Sequence, residues 1–248
     1  MKVLIIPDVH GLTTWKEQVS DAIATKDTHI RFLGDYVDSY NVSTATAIWN
    51  LKDIVKFKKK YPTRITLLLG NHDFAYVFSK TNTSGFQFHM WDEYCTFFNS
   101  NWNYFQLAWG FQGKDKYTLL THAGLTKYFY DNIVNEIMDP QTVMNEILVK
   151  KADVPWESLP LHELLNYFIN NIDLLWQVGY IRWGSNLTGS IIWADKSELK
   201  SHRYPGIDQI VGHTCNKYIE IAHVDDDKLY FIDVHTDNDV IGFLTELV

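Results

Sequence analysis

The chain has 248 residues, of which 46% are hydrophobic, and its formal net charge is −8. This length and composition can bury a full-sized core, and we predict a single domain over residues 1–248. The acidic balance disfavours a surface dedicated to coating DNA or RNA, although bound metal ions would reverse the field locally.

Cysteine content and hydropathy indicate the cellular compartment of the protein. Cys95 and Cys215 are the only cysteines and lie far apart in the sequence, which is typical of proteins in a reducing environment. The opening MKVLIIPDVHG reaches Asp8 too soon for a signal peptide, and no apolar run approaches the ~20 residues that span a bilayer. We therefore expect a cytoplasmic protein without a membrane partner.

Three strand-helix units open the chain. Apolar runs predict strands over residues 2–9, 30–34 and 64–69, and apolar residues at helical spacing predict a helix after each of the first two strands. The second helix is expected to begin near Ser43 and to end before Pro62. This alternation favours an α/β fold, with a parallel or mixed sheet and helices packed on it.

The middle and the end of the chain follow other patterns. Aromatic residues crowd residues 74–116, which predicts a helical insert with its own small core, or alternatively a wall that stacks a ligand. Residues 127–175 are predicted to be a helical segment, with one helix starting at Asp139 and another after Pro160. Short apolar runs such as SIIWAD and DQIVGHT predict β structure in the last third.

Potential metal ligands follow five predicted strands, each with a glycine nearby. Each motif alone is a common loop sequence, but ligand sites of open α/β sheets lie outside the carboxyl ends of strands, so the series together predicts a metal centre. The motifs are PDVHG with Asp8 and His10, GDYVD with Asp35 and Asp38, GNHD with Asn71, His72 and Asp73, THAG with His122, and GHT with His213.

The number of ligands favours two ions. Six side chains are too many for one zinc that keeps an open position, but they suit two ions bridged by a carboxylate, which can hold a bridging hydroxide as nucleophile and clamp a phosphoryl group. Their oxygen and nitrogen atoms fit two divalent or trivalent transition-metal ions, Mn, Fe, Zn or Co. The six are Asp8, His10, Asp35, Asn71, His122 and His213.

His72 and Asp38 remain outside this ligand set. His72 follows Asn71 directly, so it is well placed to protonate the leaving-group oxygen of a phosphoester held by the ions. Asp38 can fix the tautomer of His72 as an orienting carboxylate.

The series DVHG, GDYVD, GNHD, HAGL and GHT resembles the calcineurin-like metallophosphoesterase superfamily. GDYVDSY with GNHD and HAGL is most similar to its phosphoprotein phosphatase branch, the serine/threonine phosphatase-like enzymes of bacterial and phage type. The resemblance covers nearly the whole chain apart from the aromatic insert and the helices between about 127 and 175. It implies the metallophosphatase fold, a four-layer α/β/β/α sandwich of two mixed sheets flanked by helices.

The resemblance also implies a role for each motif residue. Asp8 and His10 would hold the first ion, and Asp35 would bridge both ions. His72 would be the general acid with Asp38 as its partner. The second ion would be held by Asn71, His122 and His213.

Two arginines of that branch, which hold the substrate phosphate, are replaced here by Ser39 and Leu69. A serine hydroxyl cannot replace the charge and the bidentate hydrogen bonding of a guanidinium group. Arg182, which precedes SIIWAD, is our first candidate for phosphate binding and Arg203 the second, with a structural ion pair as the alternative. His235 is a further candidate for substrate contact.

Three functional hypotheses follow. The leading one is a metal-dependent phosphomonoesterase similar to protein serine/threonine phosphatases, with a phosphoprotein or a nucleotide as its phosphorylated substrate. The second is hydrolysis of a dinucleoside polyphosphate or another nucleotide, for which the aromatic insert could stack a base. The third is a non-catalytic scaffold, against which the presence of every ligand and of His72 argues.

Overall fold

The computed structural model describes residues 2–39, 41–80, 83–139, 156–236, 239–240 and 242–246. The chain divides into two compact units, of which the first comprises Met1–Gln106, Val211–Ile221 and Tyr230–Val248 and the second Leu107–Ile210 and Ala222–Leu229. Compact units can belong to one folding domain, so the single domain over residues 1–248 stays a prediction.

Strands and helices alternate along the first third of the chain, as the apolar pattern predicts. The strands are β1 (Lys2–Ile6), β2 (Thr28–Phe32), β3 (Ile65–Leu68), β4 (Phe105–Gln106), β5 (Ala108–Gln112), β6 (Tyr117–Thr121), β7 (Ile207–Val211), β8 (Glu220–Val224), β9 (Asp227–Phe231), β10 (His235–Thr236), β11 (Asp239–Val240) and β12 (Phe243–Glu246). The α-helices are α1 (Trp15–Ala24), α2 (Thr44–Lys60), α3 (Asn71–Val77), α4 (Trp91–Asn101), α5 (Lys127–Met138), α6 (Leu161–Asn166), α7 (Ile172–Leu175) and α8 (Lys196–His202).

Two five-stranded sheets are mixed. The first has the order β12-β1-β2-β3-β4, in which β12 is antiparallel to β1 and the other neighbours are parallel. The second has the order β5-β6-β7-β9-β8, in which β5 is antiparallel to β6 and β6 is parallel to β7. Helices α1 and α2 pack on the first sheet and α6 packs on β5 and β6. The predicted α/β class, with two mixed sheets flanked by helices, is confirmed.

The register of the first sheet brings three strand ends to one edge. Ile30 of β2 is aligned with Leu4 of β1 on one side and with Ile65 of β3 on the other, and all three are buried. Because these strands are parallel, the loops that follow them leave the sheet at the same edge. PDVHG and GDYVD lie in the loops after β1 and β2, and GNHD begins α3 just after β3.

Two predicted elements differ from the structure. β1 ends at Ile6 rather than Val9, because the N–H groups of Val9 and His10 both donate to the carbonyl of Asp35 and the chain leaves the sheet. SIIWAD forms a turn closed by Trp193 N–H and Ala194 N–H on the carbonyl of Ser190, not a strand. Both segments are buried, and burial alone does not distinguish a strand from a packed loop.

The helical predictions are met in part. α2 begins after Ser43, whose hydroxyl accepts a hydrogen bond from Thr46 N–H. The aromatic insert is helical only as far as Tyr104, because residues 105–112 include β4 and β5. The helix predicted from Asp139 falls mainly on residues 140–155, outside the described residues. Within the part of the chain that is described, no helix combines the length and the apolar character needed to cross a membrane.

Candidate metal centre

Asp8 and His10 lie in the loop after β1, and this loop is bonded to the loop after β2. The N–H of His10 donates to the carbonyl of Asp35 at 2.7 Å. Its imidazole Nδ1 lies 2.9 Å from the carbonyl of Val37. A carbonyl can only accept, so Nδ1 carries the hydrogen and the Nε2 lone pair is available to a metal ion. Nε2 lies 3.8 Å from Oδ2 of Asp35.

Asp35 is buried at the centre of this group of side chains. Its Oδ1 accepts the backbone N–H of His72 at 3.0 Å. Its Oδ2 lies 3.8 Å from His10 Nε2 and 3.9 Å from His72 Nε2. A carboxylate with one oxygen anchored by the backbone and the other facing two imidazoles is suited to bind metal ions.

Asp73 and Gly70 fix the position of Asp35. The carboxylate of Asp73 is fully buried and accepts the backbone N–H groups of Asp35, Tyr36 and Gly70 at 2.7, 2.8 and 3.0 Å. A Cβ on Gly70 would lie 2.0 Å from Asp35 Oδ1. Neither role was predicted. An acidic residue at the third position of a helix often accepts the backbone N–H of the residue just before the helix, and GNHD carries this recognisable signal.

His72 and Asp38 form a buried pair. His72 Nδ1 lies 2.9 Å from Asp38 Oδ2, and the other carboxylate oxygen, Oδ1, accepts a short hydrogen bond from the hydroxyl of Tyr76. Burial opposes a charge on the imidazole, but the carboxylates of Asp35, Asp38 and Asp73 outweigh it and raise the pKa of His72. The imidazole is therefore disposed to hold a second proton that it can donate.

The remaining predicted ligands also lie at loop or helix starts. His213 follows β7, and its N–H donates to Asp8 Oδ1 at 3.0 Å. Potential ligand atoms of His213 and Asp35 lie within 4.8 Å of each other. Asn71 is the first residue of α3 and is buried. His122, in the second unit, directly follows β6 and is fully buried.

Strained backbone is concentrated at these residues. Among the described non-glycine residues, seven have a positive φ, and four of the seven are His10, Asp35, Asp38 and His213. Such conformations are uncommon for residues with a Cβ and persist where the surrounding structure enforces them, often at functional sites. The predicted site residues thus share a feature that their sequence motifs do not reveal.

The donor set fits transition-metal ions. Carboxylate, imidazole and amide groups are the ligands of Mn, Fe, Zn and Co, and buried carboxylates such as Asp8 and Asp35 are stabilised by a nearby cation. Ligand atoms of His10, Asp35 and His72 lie within 4.8 Å of one another and could hold an ion. The geometry therefore permits His72 either a ligand role or an acid role.

The two residues that replace arginines have structural partners. The hydroxyl of Ser39 accepts the backbone N–H groups of Asn41 and Val42, each at 3.2 Å. Leu69 is fully buried, and its N–H donates to the carbonyl of Gln106. Both residues stabilise the fold locally, and neither supplies a positive charge.

Both candidate arginines for substrate binding face carboxylates. Arg182 Nη2 lies 3.2 Å from Asp195 Oδ2. Arg203 is held by two carboxylates, with Nε 3.0 Å from Asp227 and Nη2 2.6 Å from Asp225. His235 lies in β10, and its side chain is outside the described part of the structure. A role in substrate binding stays a prediction for all three residues.

Solved structures similar to this chain include several phosphatases. A cold-active protein tyrosine phosphatase of a psychrophilic Shewanella species is 14% identical, with 92% of this chain and 70% of that chain covered and a TM-score of 0.47. A protein serine/threonine phosphatase from Saccharomyces cerevisiae is 14% identical over 94% and 67% of the two chains, with a TM-score of 0.47. A candidate diadenosine tetraphosphatase is 13% identical over 98% and 93%, with a TM-score of 0.47. These values are too low to assign a substrate.

The family comparison covers most of the chain. The family model described as calcineurin-like phosphoesterase matches residues 1–217, which include every predicted ligand and His72. The chain therefore belongs to the calcineurin-like phosphoesterase family and is a metal-binding phosphatase, a hydrolase of phosphoric esters.

Proposed function

We propose that this chain is a phosphomonoesterase that depends on two metal ions and resembles protein serine/threonine phosphatases. His122 keeps the ligand role that its HAGL motif implies, and Asp35 is proposed to bridge the ions. A cytoplasmic setting and Mn²⁺ as the first ion to test are part of this proposal. The proposed ligands are Asp8, His10, Asp35, Asn71, His122 and His213.

The proposed chemistry divides between the ions and the chain. When bound, the ions would supply Lewis-acid activation of the attacking water and neutralise charge on the phosphoryl oxygens. His72 donates a proton from Nε2 to the leaving-group oxygen as its bond to phosphorus breaks. Asp38 holds the proton on Nδ1 and stabilises the charged imidazole before the transfer.

One observation carries the proposal: His72 lies between two carboxylates with different tasks. Nδ1 faces Asp38 at 2.9 Å, and Nε2 lies on the side of Asp35, 3.9 Å from its Oδ2. An imidazole that is oriented at one nitrogen and directed at the proposed metal site by the other has the arrangement of a general acid. Asp38, which is not among the proposed ligands, stabilises the protonated imidazole that the acid needs at the start of the reaction.

Phosphate capture is proposed to use Arg182 rather than Arg203. Arg203 would have to leave two carboxylates, those of Asp225 and Asp227, to bind a substrate. Arg182 Nη2 lies 3.2 Å from Asp195 Oδ2, and Arg182 precedes SIIWAD, the position from which the resemblance implies phosphate binding. A guanidinium group can bind a phosphate through two parallel hydrogen bonds.

A second candidate function is hydrolysis of a dinucleoside polyphosphate. The observation in its favour is Phe88, which is 70% exposed and edge-on to Trp91 within the aromatic insert. An exposed aromatic face can stack a base without sequence preference.

A substrate panel tests the two functions against each other. Mn²⁺-loaded protein is assayed with a phosphoserine peptide, an aryl phosphate and a dinucleoside polyphosphate. The phosphomonoesterase proposal predicts higher kcat/KM for the two monoesters, and Arg182→Ala is expected to raise KM more than Arg203→Ala does. Preference for the dinucleotide, together with its loss in Phe88→Ala, would favour the second function instead.

A further inference from the structure

The hydroxyl of Tyr76 binds the carboxylate oxygen of Asp38 that does not face His72. Tyr76 lies four residues after His72 in α3, so both side chains occupy the same face of the helix. Asp38 Oδ2 lies 2.9 Å from His72 Nδ1, and Asp38 Oδ1 accepts the hydrogen bond of the Tyr76 hydroxyl. Each carboxylate oxygen therefore has its own partner, and the carboxylate cannot rotate without breaking a bond.

The direction of this hydrogen bond is fixed by Gln87. The backbone N–H of Gln87 donates to the hydroxyl oxygen of Tyr76 at 2.7 Å, so the hydroxyl accepts from Gln87 and donates its own proton to Asp38. Burial and the negative charge of Asp38 raise the pKa of Tyr76, which keeps this proton on the hydroxyl. Asp38 thus accepts two hydrogen bonds, one on Oδ1 from the Tyr76 hydroxyl and one on Oδ2 from His72 Nδ1.

The ring of Tyr76 is held by the aromatic insert. Tyr76 is fully buried and stacks on Phe86, with 4.4 Å between ring centroids and 13° between ring planes. Tyr94 packs against the same ring at 4.8 Å. Because the ring cannot move sideways, its hydroxyl is a fixed anchor for Asp38.

The backbone of Asp38 is strained, so its side chain needs contacts that hold it in place. Asp38 has a φ of 60°, which is unfavourable for a residue with a Cβ. A strained loop residue holds its side chain in place only if other contacts restrain it. The bonds from Tyr76 and His72 are two such restraints.

We propose that Tyr76 is a positioning residue for the phosphatase reaction: it holds Asp38 so that one carboxylate oxygen stays directed at His72 Nδ1. The inference rests on the proposed function, in which His72 is the general acid. It also gives the aromatic insert a function, because Phe86 and Gln87 hold Tyr76 in place.

Tyr76→Phe tests this role, because the substitution keeps the ring and its stacking and removes only the hydroxyl. Proton donation matters more for a poor leaving group than for a good one. We expect kcat for phenyl phosphate and a phosphoserine peptide to fall about tenfold, with a smaller loss for 4-nitrophenyl phosphate. KM and metal content are expected to stay unchanged.

Tyr94→Phe is the matched control. The Tyr94 hydroxyl is also buried, and it has no hydrogen-bond partner among the described residues. Its removal therefore leaves the hydrogen bond between His72 and Asp38 intact. If Tyr76→Phe matches the wild type, or loses activity equally for all leaving groups, the positioning role is overturned. A wild-type protein that hydrolyses none of the substrates would instead overturn the proposed function.

A double-mutant cycle separates action through Asp38 from any other effect. If Tyr76 acts through Asp38, adding Tyr76→Phe to Asp38→Asn is expected to cause less than about a twofold further loss. A full tenfold further loss would contradict the proposal. Gln87→Pro keeps Tyr76 and removes the N–H that orients its hydroxyl. Like Tyr76→Phe, this variant is expected to lower kcat more for phenyl phosphate than for 4-nitrophenyl phosphate. It provides the test if Tyr76→Phe does not fold.

Discussion

The imidazole of His72 and the carboxylate of Asp38 form a buried hydrogen bond, with 2.9 Å between Nδ1 and Oδ2. Asp38 lies in the loop after β2, and His72 is the second residue of α3, which follows β3. Their pairing leaves Nε2 on the side of Asp35, where the candidate metal ligands gather. This arrangement determines the effect that replacing either residue is expected to have on catalysis.

His72→Asn is expected to lower kcat for phenyl phosphate by about 10²- to 10⁴-fold, the usual contribution of general acid catalysis. The two metal ions are expected to remain, because the proposal gives His72 no ligand role. Metal content measured by inductively coupled plasma mass spectrometry, alongside steady-state kinetics, checks both expectations. Loss of an ion from this variant would show that His72 is a ligand and not the acid.

Gly70→Ala is expected to weaken metal binding by at least about tenfold. The new Cβ would lie 2.0 Å from Asp35 Oδ1, and the carboxylate would have to move. Isothermal titration of the metal-free protein with Mn²⁺ measures the change. Gly206→Ala is the control, since its Cβ would meet no atom within 4 Å. Its positive φ is expected to cost about 1 kcal/mol of stability without affecting metal affinity.

Asp73→Asn is expected to reduce the free energy of unfolding by about 3 kcal/mol, because an amide cannot accept three backbone N–H groups as the buried carboxylate does. Urea unfolding of the metal-free protein measures the loss. Asp53→Asn is the control, since Asp53 pairs with Lys16 at a half-exposed position and is expected to cost less than about 1 kcal/mol. Equal losses in both variants would refute the positioning role of Asp73.

Asp227 is expected to contribute stability that is lost in acid. Burial raises the pKa of Asp227, but hydrogen bonds from Lys116, the Gly206 N–H and Arg203 outweigh burial and lower the pKa below 3.8. Because the folded protein binds this proton less readily than the unfolded chain, the stabilisation is present above pH 3.8 and is lost as the pH falls through the folded pKa.

The pH dependence of Asp227→Asn checks this sign. Between about pH 7 and pH 3 the variant is expected to lose less of its free energy of unfolding than the wild type does. A parallel loss in both proteins would mean that the ion pairs of Asp227 do not contribute to acid sensitivity.

The sequence was sufficient to predict the family, because its five motifs resemble those of the family. It was also sufficient to select candidate site residues, because each motif follows an apolar run. It was not sufficient to predict the backbone at those residues. The first strand was expected to run to Val9, yet it ends at Ile6, and His10 lies in a loop with a positive φ. Its N–H bonds to Asp35, a residue 25 positions later in the chain, and no local pattern encodes such a partner.

Tyr76 shows a second limit. Its place four residues after His72 is visible in the sequence, but its role depends on the conformation of the segment around Gln87. Aromatic residues in such a segment most often serve packing, and most of the insert does so. The contact of one hydroxyl with Asp38 is apparent only in three dimensions.

The most direct test is a single measurement series on the wild-type chain. The protein is stripped with a chelator, titrated with Mn²⁺ in a calorimeter, and assayed with phenyl phosphate at each point of the titration. We expect two ions per chain, no hydrolysis by the metal-free protein, and full activity only when both sites are filled. Binding of two ions without hydrolysis, across a range of pH and with the other candidate metals, would contradict the proposed function.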